Sequence, residues 1–349
     1  MGTVELRGYE PGMEPGMELV LGSPGLLDPA APPRDLSMRA VGLAHAALAP
    51  RTCVLYRSAL AGLDRWLAGR PVTDALVAEY CAERHEAGWA PSTVALVVAA
   101  VRCMARLSDR PAPVGRRTRR VLAGIRRAGC VRGYGQVAGI TWPMADAICT
   151  RAAGDGGSLI GLRDAAMIAL MSDALLRISE VRTVAVQDLH QEGDGSGRLG
   201  LVRSKTDQEG KGVVLYVGAP TMGRIVAFLQ AGGVVSGPVF RRIRRGDHVQ
   251  ATGLSMSNIR RIIQERAVAA GIRGRVSGHS LRVGAAQSLA AAGCGVVEMQ
   301  VAGRWRSPQM PGHYARNQLA AHSAVARLRY GTPYPRSPAT PHSPYHPIT

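Results

Sequence analysis

Four consecutive segments with helical periodicity lie between residues 36 and 129, and no other feature of the sequence constrains the fold as much. Pro50 and Pro91 stand where proline starts helices, and Thr73 is a typical N-cap residue. Only 4% of the residues are aromatic, and alanine, leucine and valine provide most apolar side chains, which favours helices over a β-sandwich. The predicted helices cover about 50–67, 74–86, 91–107 and 114–129.

A second predicted unit begins near Thr141 and mixes helices with a little β-structure. A helix opens at Trp142, and a strongly apolar helix follows at about 162–176. Two short runs of β-forming residues, Leu199–Arg203 and Gly212–Val217, are joined by a polar loop and predict a hairpin. Further helices are predicted at about 220–231, 255–270, 280–292, 296–302 and 317–329. The predicted fold is therefore mainly α: a separate all-α N-terminal domain, then a mostly helical domain with a small β-sheet (α+β).

The two ends of the chain differ in composition from its middle. Residues 1–36 are rich in glycine and proline and hold six acidic residues against two arginines, a net charge of −4. Because the whole chain carries +18, the remainder carries +22. We predict a disordered acidic arm at 1–36, a helical domain at 37–130, a linker at 131–141, a larger domain at 142–331 and a disordered proline-rich tail at 332–349.

The basic charge predicts a polyanionic partner, and nucleic acid is the commonest one. A merely soluble basic protein is the alternative that composition leaves open. The segment 114–129 favours nucleic acid, because its arginines fall on one half of the helical wheel and no acidic residue occurs between Pro111 and Ala145. These arginines are Arg116, Arg117, Arg119, Arg120, Arg126 and Arg127. A second basic run is also predicted to contact DNA through Arg241, Arg242, Arg244 and Arg245.

Several other classes of protein are disfavoured. The six cysteines lie far apart without a CxxC pair, which indicates buried thiols and not a disulfide framework or a zinc site. The sequence has no GxxxxGK(S/T) loop, HExxH motif or carboxylate cluster, so no metal, ATP or other cofactor is predicted. The N-terminus lacks the pattern of a signal peptide, and arginines interrupt the longest apolar run. We therefore expect no membrane association and a cytoplasmic or chromosome-bound protein.

A DNA-cutting protein of this composition needs a metal-free route through a protein nucleophile. Two guanidinium groups would hold the anionic phosphodiester and stabilise the charge of the transition state. A hydroxyl group would form a covalent intermediate that keeps the bond energy without a cofactor. A lysine would protonate the departing 5′-oxygen, which arginine cannot do because its pKa is too high.

Candidates for these roles occur in a consistent order along the chain. Arg177 follows the apolar helix, with Glu180 three residues later. Lys205 lies in the predicted hairpin loop and is one of two lysines against 41 arginines, which indicates chemistry that arginine cannot supply. Any one of these residues alone is more often an ordinary surface residue.

The second half of the candidate set lies further along the chain. His279 and Arg282 stand three residues apart at the start of a predicted helix and therefore share a helix face. Trp305 follows another predicted helix, and Tyr314 comes nine residues later. Each of these residues is weak evidence alone, so the specific signal is the complete set in this order.

In this order, the blocks resemble the catalytic domain of the tyrosine recombinase (phage integrase) family. The resemblance covers about Trp142–Tyr330 and extends more faintly over 37–129. The blocks that carry it are Leu175–Val181, Ser204–Thr206, Ser277–Ala286, Met299–Trp305 and Tyr314–Arg316.

The resemblance implies a role for each candidate. Arg177 and Arg282 would clamp the scissile phosphate, and Tyr314 would attack it to give a 3′-phosphotyrosine and a free 5′-hydroxyl. The implied supporting roles are a general acid at Lys205, an acid/base or phosphate ligand at His279, a hydrogen-bond donor to phosphate at Trp305 and, at Glu180, a support for the geometry of the first arginine and the histidine.

The resemblance also implies how the protein would assemble on DNA. The two domains would form a C-shaped clamp around double-stranded DNA, and four protomers would join two sites, each made of inverted half-sites. The last helix, about 317–329, would dock into a neighbouring protomer. Two other functions stay open: a type IB topoisomerase, which relaxes supercoils by the same chemistry, and a DNA-binding regulator with a decayed active site.

The residues just before Tyr314 are unfavourable for a helix. Proline at 311 disfavours helix at Met310, and glycine at 312 costs about 1 kcal/mol relative to alanine. We therefore predict that Tyr314 lies on a mobile segment or at a helix start.

Overall fold

The computed structural model describes residues 48–108, 110–129, 136–154, 157–201, 212–321 and 323–330. The chain divides into two compact units, Met1–Gly135 and Gln136–Thr349, each with its own hydrophobic core. The predicted acidic arm, Lys205 and the proline-rich tail lie outside the described residues, and the predicted domain boundaries stay predictions. In the described part of the chain, no helix is both long enough and apolar enough to cross a membrane.

The described part of the first unit consists of four helices, which confirm the four predicted ones. They are α1 (Pro50–Leu67), α2 (Asp74–Glu86), α3 (Pro91–Leu107) and α4 (Arg116–Ala128). Proline occupies the first turn of α1 and of α3, and the Thr73 hydroxyl caps α2 by accepting from the Leu76 backbone N–H at 3.3 Å. Side chains from all four helices close the core, among them Leu63, Val97 and Leu122.

Helix α4 has the two faces that its sequence predicts. Thr118, Leu122 and Ile125 are buried against the other helices of the unit. The six predicted arginines lie on the opposite face, and all six are exposed. The unit therefore presents a row of guanidinium groups on one helix.

The carboxylate of Asp74 on α2 caps the N-terminus of α4. Oδ1 accepts from the backbone N–H groups of Gly115 at 2.6 Å and Thr118 at 3.1 Å and from the Thr118 hydroxyl at 2.7 Å. Oδ2 accepts from the backbone N–H of Arg117 at 3.0 Å. Burial raises the pKa of Asp74, but the hydrogen bonds outweigh burial and lower this pKa to about 2. This anion at the positive end of the helix dipole joins α4 to α2 and so orients the arginine face.

The second unit is built around one buried helix. Its first helices are α5 (Trp142–Ala153), α6 (Leu159–Asp173), α7 (Ile178–Val181), α8 (Ala219–Ala231), α9 (Met256–Ala269), α10 (Ser280–Ala291) and α11 (Val296–Gly303). Helix α6 is buried along almost its whole length and forms the centre of the core. It begins earlier than predicted, because the Ser158 hydroxyl caps it by accepting from the Gly161 backbone N–H at 3.1 Å.

Two small antiparallel sheets accompany these helices. The strands are β1 (Leu189–Gln191), β2 (Gly197–Leu201), β3 (Val213–Val217), β4 (Arg241–Arg244) and β5 (His248–Gly253). The first sheet has the order β1-β2-β3, with Leu199 paired to Leu215, which confirms the predicted hairpin. Neither β1 nor the β4–β5 hairpin was predicted, because β1 is only three residues long and β4 is a run of arginines around one isoleucine.

The C-terminal part of the second unit differs from the prediction. It contains α12 (Gln309–Tyr314), α13 (Arg316–Ala321) and α14 (Ala324–Tyr330). The single helix predicted at 317–329 is wrong, because the Ser323 hydroxyl accepts from the Ala326 backbone N–H at 3.3 Å and starts a new helix. A helix start at Tyr314 is also wrong, since Tyr314 is the last residue of α12. Pro311 fits into α12 because it lies in the first turn, where no backbone N–H donor is needed.

We predict that Thr118→Val lowers the free energy of unfolding by about 1 kcal/mol, because it removes the buried Thr118 hydroxyl that donates to the Asp74 carboxylate. Urea unfolding of the full chain followed by circular dichroism would measure the loss. Since the folded-state pKa of Asp74 lies near 2, below its ordinary value of 3.8, the stabilisation is present above pH 4 and is lost as the pH falls through 2.

Thr93→Val is the matched control, because Thr93 is exposed on α3 of the same unit. An equal loss in both variants would show that the Thr118 hydroxyl does not stabilise this cap.

Candidate active site

The turn between α6 and α7 positions the first candidate arginine. Leu175 adopts a φ of 48°, which turns the chain sharply after α6. Arg177 is then the N-cap residue of α7, and Glu180 reaches back to it: Oε2 accepts from the Arg177 backbone N–H at 2.9 Å and Oε1 from Nη1 at 2.5 Å. The Glu180 side chain is 2% exposed, whereas that of Arg177 is 18% exposed. The ion pair therefore holds Arg177 in place while part of its guanidinium stays accessible.

The loop before α10 brings the second pair of candidates to the same place. A Cβ atom at Gly278 would lie 1.6 Å from Cδ1 of Ile178, so this close approach requires glycine. Ile178 directly follows Arg177, and His279 directly follows Gly278. His279 is the N-cap residue of α10, and Arg282 lies in its first turn.

The guanidinium of Arg282 is completely buried. Nη1 donates to the carbonyl oxygen of Leu175, and Nη2 donates to the carbonyl oxygen of Gly303. Within the described part of the chain, Nε is buried without a hydrogen-bond partner. The guanidinium carbon lies 4.4 Å from the centroid of the Trp305 ring. Two of the five N–H groups are thus satisfied by the protein, and an acceptor that reaches the others would be bound strongly.

Tyr314 meets His279 at the end of α12. The phenol oxygen lies 2.9 Å from Nε2 of His279, and the two ring centroids are 5.3 Å apart at an angle of 67°. The Tyr314 ring also lies 5.9 Å from the ring of Trp305. The phenol therefore stands between an imidazole and the indole that packs on Arg282.

Trp305 is 7% exposed and contacts both Arg282 and Tyr314. A Cβ atom at Gly303 would lie 2.0 Å from the Trp305 ring, so glycine is required where α11 ends. The same glycine supplies the carbonyl oxygen that Arg282 binds. The structure thus brings six of the seven candidates together: Arg177, Glu180, His279, Arg282, Trp305 and Tyr314.

Two glutamines, neither of them predicted, bind the backbone of Tyr314. The side-chain amide of Gln136 donates to the Tyr314 carbonyl oxygen at 3.1 Å, and that of Gln287 donates to the same oxygen at 3.4 Å. Gln136 is the first residue of the second unit, and Gln287 lies on α10. No local pattern marks a glutamine that binds a carbonyl oxygen far along the chain.

A third buried arginine, Arg304, was also missed. Its Nη1 donates to the carbonyl oxygen of Ala174 at 3.0 Å, and its Nη2 donates to that of Leu175 at 3.3 Å and to Oε2 of Glu180 at 3.0 Å. Its side chain is 10% exposed. Its position next to Trp305 could have indicated a place in the site, but one arginine does not stand out among 41.

The buried charges control the protonation of the site. Burial, reinforced by the charges of Arg282 and Arg177, lowers the pKa of His279 to about 4. Burial, with the charges of Arg177 and Arg304, lowers the pKa of Arg282 to about 9. Burial raises the pKa of the Tyr314 phenol, and the charges of Arg282 and Arg177 offset this only in part. At neutral pH the site therefore holds a neutral imidazole and a neutral phenol beside charged guanidiniums.

Glu180 stays ionised within this cluster. Burial opposes its ionisation, but the backbone N–H of Arg177 and the charges of Arg304 and Arg177 outweigh burial and lower the pKa of Glu180. Its negative charge therefore compensates part of the positive charge around it.

The remaining predicted site residues lie elsewhere. Lys205 is outside the described residues, so its predicted role stays a prediction. Arg242, Arg244 and Arg245 are exposed on the β4–β5 hairpin. Arg241 differs, because its Nε donates to the carbonyl oxygen of Pro238 at 2.9 Å and its guanidinium is engaged within the protein.

Comparison with known sequences identifies similar proteins. The model of the phage integrase family matches residues 146–320, half of the chain and the whole candidate set from Arg177 to Tyr314. Recombinase Cre of Escherichia phage P1 is 27% identical over 181 residues, which cover 48% of this chain and 53% of that recombinase. The chain therefore spans about half the length of the curated relative that it matches.

Comparison with solved structures shows a similar fold. XerH site-specific recombinase bound to palindromic difH substrate has a TM-score of 0.61 at 12% identity, over 80% of each chain. The Tn1549 transposon integrase in complex with transposon right end DNA has a TM-score of 0.57 at 14% identity, over 83% of this chain and 98% of that one. A lambda integrase dimer bound to a COC′ core site has a TM-score of 0.56 at 18% identity, over 78% and 91%. At these identities the likeness concerns the fold alone.

We predict that His279 destabilises the folded protein increasingly as the pH falls from 6.5 to about 4. In this range the imidazole is protonated in the unfolded state but stays neutral in the folded state, because its folded-state pKa is about 4. The expected loss is on the order of 2–3 kcal/mol. Urea unfolding of the wild type and of His279→Gln between pH 7 and pH 4 would measure it, and their difference removes the contribution of other groups. A difference that does not change with pH would contradict the burial of a neutral His279.

Proposed function

Because the chain belongs to the phage integrase family of tyrosine recombinases, we propose that it is a site-specific DNA recombinase that cuts and rejoins duplex DNA through a 3′-phosphotyrosine intermediate. The observation that carries this proposal is the contact of Tyr314 with a neutral His279 beside the buried Arg282. A phenol contacts a proton acceptor, and the neighbouring buried guanidinium has an N–H without a partner among the described residues, which suits attack on an anionic phosphorus.

In the proposed cleavage step, the Tyr314 oxygen attacks phosphorus and forms a new O–P bond. The phenol proton passes to Nε2 of His279, 2.9 Å away, which accepts it because the ring is neutral. The bond from phosphorus to the 5′-oxygen breaks, and that oxygen leaves with a proton from Lys205. Arg177 and Arg282 would neutralise the phosphate oxygens during the step.

The rejoining step is the reverse reaction with another strand. A 5′-hydroxyl attacks the phosphotyrosine, and the Tyr314 oxygen leaves and regains its proton from His279. The ester bond to the protein keeps the energy of the DNA ester bond, so we propose that the reaction requires neither ATP nor metal. Glu180 would keep Arg177 in place, and Trp305 would pack on Arg282 and donate a hydrogen bond to the phosphate.

We propose duplex DNA as the partner of both units. The exposed arginine face of α4 would bind phosphates in the first unit, and Arg242, Arg244 and Arg245 would do so in the second. The XerH, Tn1549 integrase and lambda integrase structures are complexes with DNA, which supports this partner. We further propose a C-shaped clamp and a homotetramer on two sites of inverted half-sites, with residues of the predicted 317–329 segment in contact with a neighbour.

The proposed function predicts a covalent adduct between Tyr314 and DNA. The full chain incubated with the DNA that flanks its gene should form a protein–DNA adduct that survives denaturation, and sequencing of the junctions would give the site. Tyr314→Phe should lose the adduct completely but still bind the same DNA. Tyr330→Phe is the matched control, since Tyr330 is exposed at the end of the last described helix and should keep full activity.

Three outcomes would redirect the proposal. Adduct formation by Tyr314→Phe would exclude Tyr314 as the nucleophile. Relaxation of supercoiled DNA without strand exchange on any mapped site would indicate a type IB topoisomerase. Unchanged biological activity of Tyr314→Phe would indicate a DNA-binding regulator.

The proposed general acid predicts a rescue experiment. Lys205→Ala should slow cleavage by about 100–10,000-fold, the usual effect of losing a general acid. A substrate with sulfur in place of the bridging 5′-oxygen should restore the rate, because a thiolate leaves without a proton. Lys211→Ala, at the other lysine of the chain, is the control. Slow cleavage of both substrates by Lys205→Ala would remove Lys205 from this role.

A further inference from the structure

We propose that Arg304 is a positioning residue that completes the positive charge of the phosphate site and keeps Arg177 available for the phosphate. This inference rests on the proposed function. Arg304 does not reach the reacting atoms itself; it acts through Glu180 and Leu175, which both contact the clamping arginines.

The backbone of Arg304 is the first indication of a specific role. Arg304 has a φ of 54°, a left-handed conformation that costs free energy for any residue with a Cβ atom and that glycine adopts freely. A strained backbone at a residue with a side chain persists when surrounding interactions compensate for it, and it often marks a functional site. Here three hydrogen bonds to Ala174, Leu175 and Glu180 compensate.

The contact with Glu180 determines how Arg177 is used. Arg304 Nη2 occupies Oε2 of Glu180, which also accepts from the Arg177 backbone N–H. The Arg177 side chain therefore binds Glu180 only through Nη1 on Oε1. Without Arg304, Oε2 would keep the Arg177 backbone N–H as a donor but would have room for a second one, so the Arg177 guanidinium could bind both carboxylate oxygens. Arg304 thus leaves the remaining N–H groups of Arg177 for an incoming phosphate.

The net charge of the described site residues also supports this role of Arg304. Arg177, Arg282 and Arg304 carry three positive charges, and Glu180 carries one negative charge, so the net charge is +2. Without Arg304 it would be +1. A phosphodiester carries −1, and the charge approaches −2 when the deprotonated tyrosine oxygen adds to phosphorus. The charge of Arg304 is therefore worth more in the transition state than in the ground state, which is the condition for accelerating a reaction.

The test compares a charged and a neutral substrate with the full chain. Arg304→Gly removes the charge and suits a left-handed backbone, and Arg304→Asn is a second neutral variant that tolerates this conformation. Arg304→Lys keeps the charge but loses the planar guanidinium that binds two acceptors at once. Single-turnover cleavage would be measured on the mapped site with either a phosphodiester or a methylphosphonate at the cleaved position. Protein would be kept below saturation, so that the rate compares the transition state with free protein and free DNA. The methylphosphonate carries one negative charge fewer in both states.

We expect the neutral variants to cleave the phosphodiester about 100-fold more slowly than the wild type, and Arg304→Lys to recover about 10-fold. On the methylphosphonate the loss should shrink to below about 10-fold, because its transition state carries a charge near −1 instead of near −2 and so depends less on the positive charge of Arg304. An equal loss on both substrates would show a purely structural role and overturn the proposal. Wild-type rates in Arg304→Gly would overturn it as well.

A second measurement does not need DNA cleavage and so separates this proposal from the proposed function. Inorganic phosphate should raise the melting temperature of the wild type and of Arg304→Lys, and this rise should disappear in Arg304→Gly and Arg304→Asn. An equal rise in all four proteins would overturn the proposal even if cleavage is confirmed. If the rise in melting temperature depends on Arg304 but the protein cleaves no DNA, the phosphate site is supported and only the proposed function is contradicted.

Discussion

The complete burial of the Arg282 guanidinium is the constraint on which the rest of the second unit depends. A buried cation is tolerated only where acceptors meet its N–H groups, and here the acceptors are the carbonyl oxygens of Leu175 and Gly303. Both carbonyls lie at turns with unfavourable backbone geometry: Leu175 has a φ of 48°, and Arg304, next to Gly303, has a φ of 54°. The hydrogen bonds to Arg282 give a reason for both turns. The helix ends of α6 and α11 are thus shaped by one side chain of α10.

Burial of these cations also determines the electrostatics of the site. Arg177 and Arg304 repel Arg282, which contributes to the lowering of its pKa to about 9, and Glu180 relieves only part of this repulsion. A phosphate bound as proposed would reduce this repulsion further. The same field keeps His279 neutral. One arrangement of charges therefore favours an anionic ligand and keeps the imidazole unprotonated at neutral pH.

The sequence predicted the parts of this molecule that local patterns determine. Helix starts at Pro50, Pro91 and Thr73 were correct because capping preferences act over a few residues. The candidate set was found because its order along the chain is specific, and the resemblance to the family is confirmed by the family model. Gln136, Gln287 and Arg304 were missed, because each acts through a contact with a residue far away in the sequence. The break after α13 was missed because one serine cap decides it.

The position of Tyr314 suits a reaction that must run in both directions. Two glutamines hold its backbone carbonyl, whereas its phenol has a single polar contact, to His279, among the described residues. Burial raises the pKa of the phenol, which makes it a poor leaving group and would protect a phosphotyrosine from water. The charges of Arg282 and Arg177 act against burial and favour the phenolate. In the proposed reaction, the same two arginines therefore assist the attack of Tyr314 and its later departure, as microscopic reversibility requires.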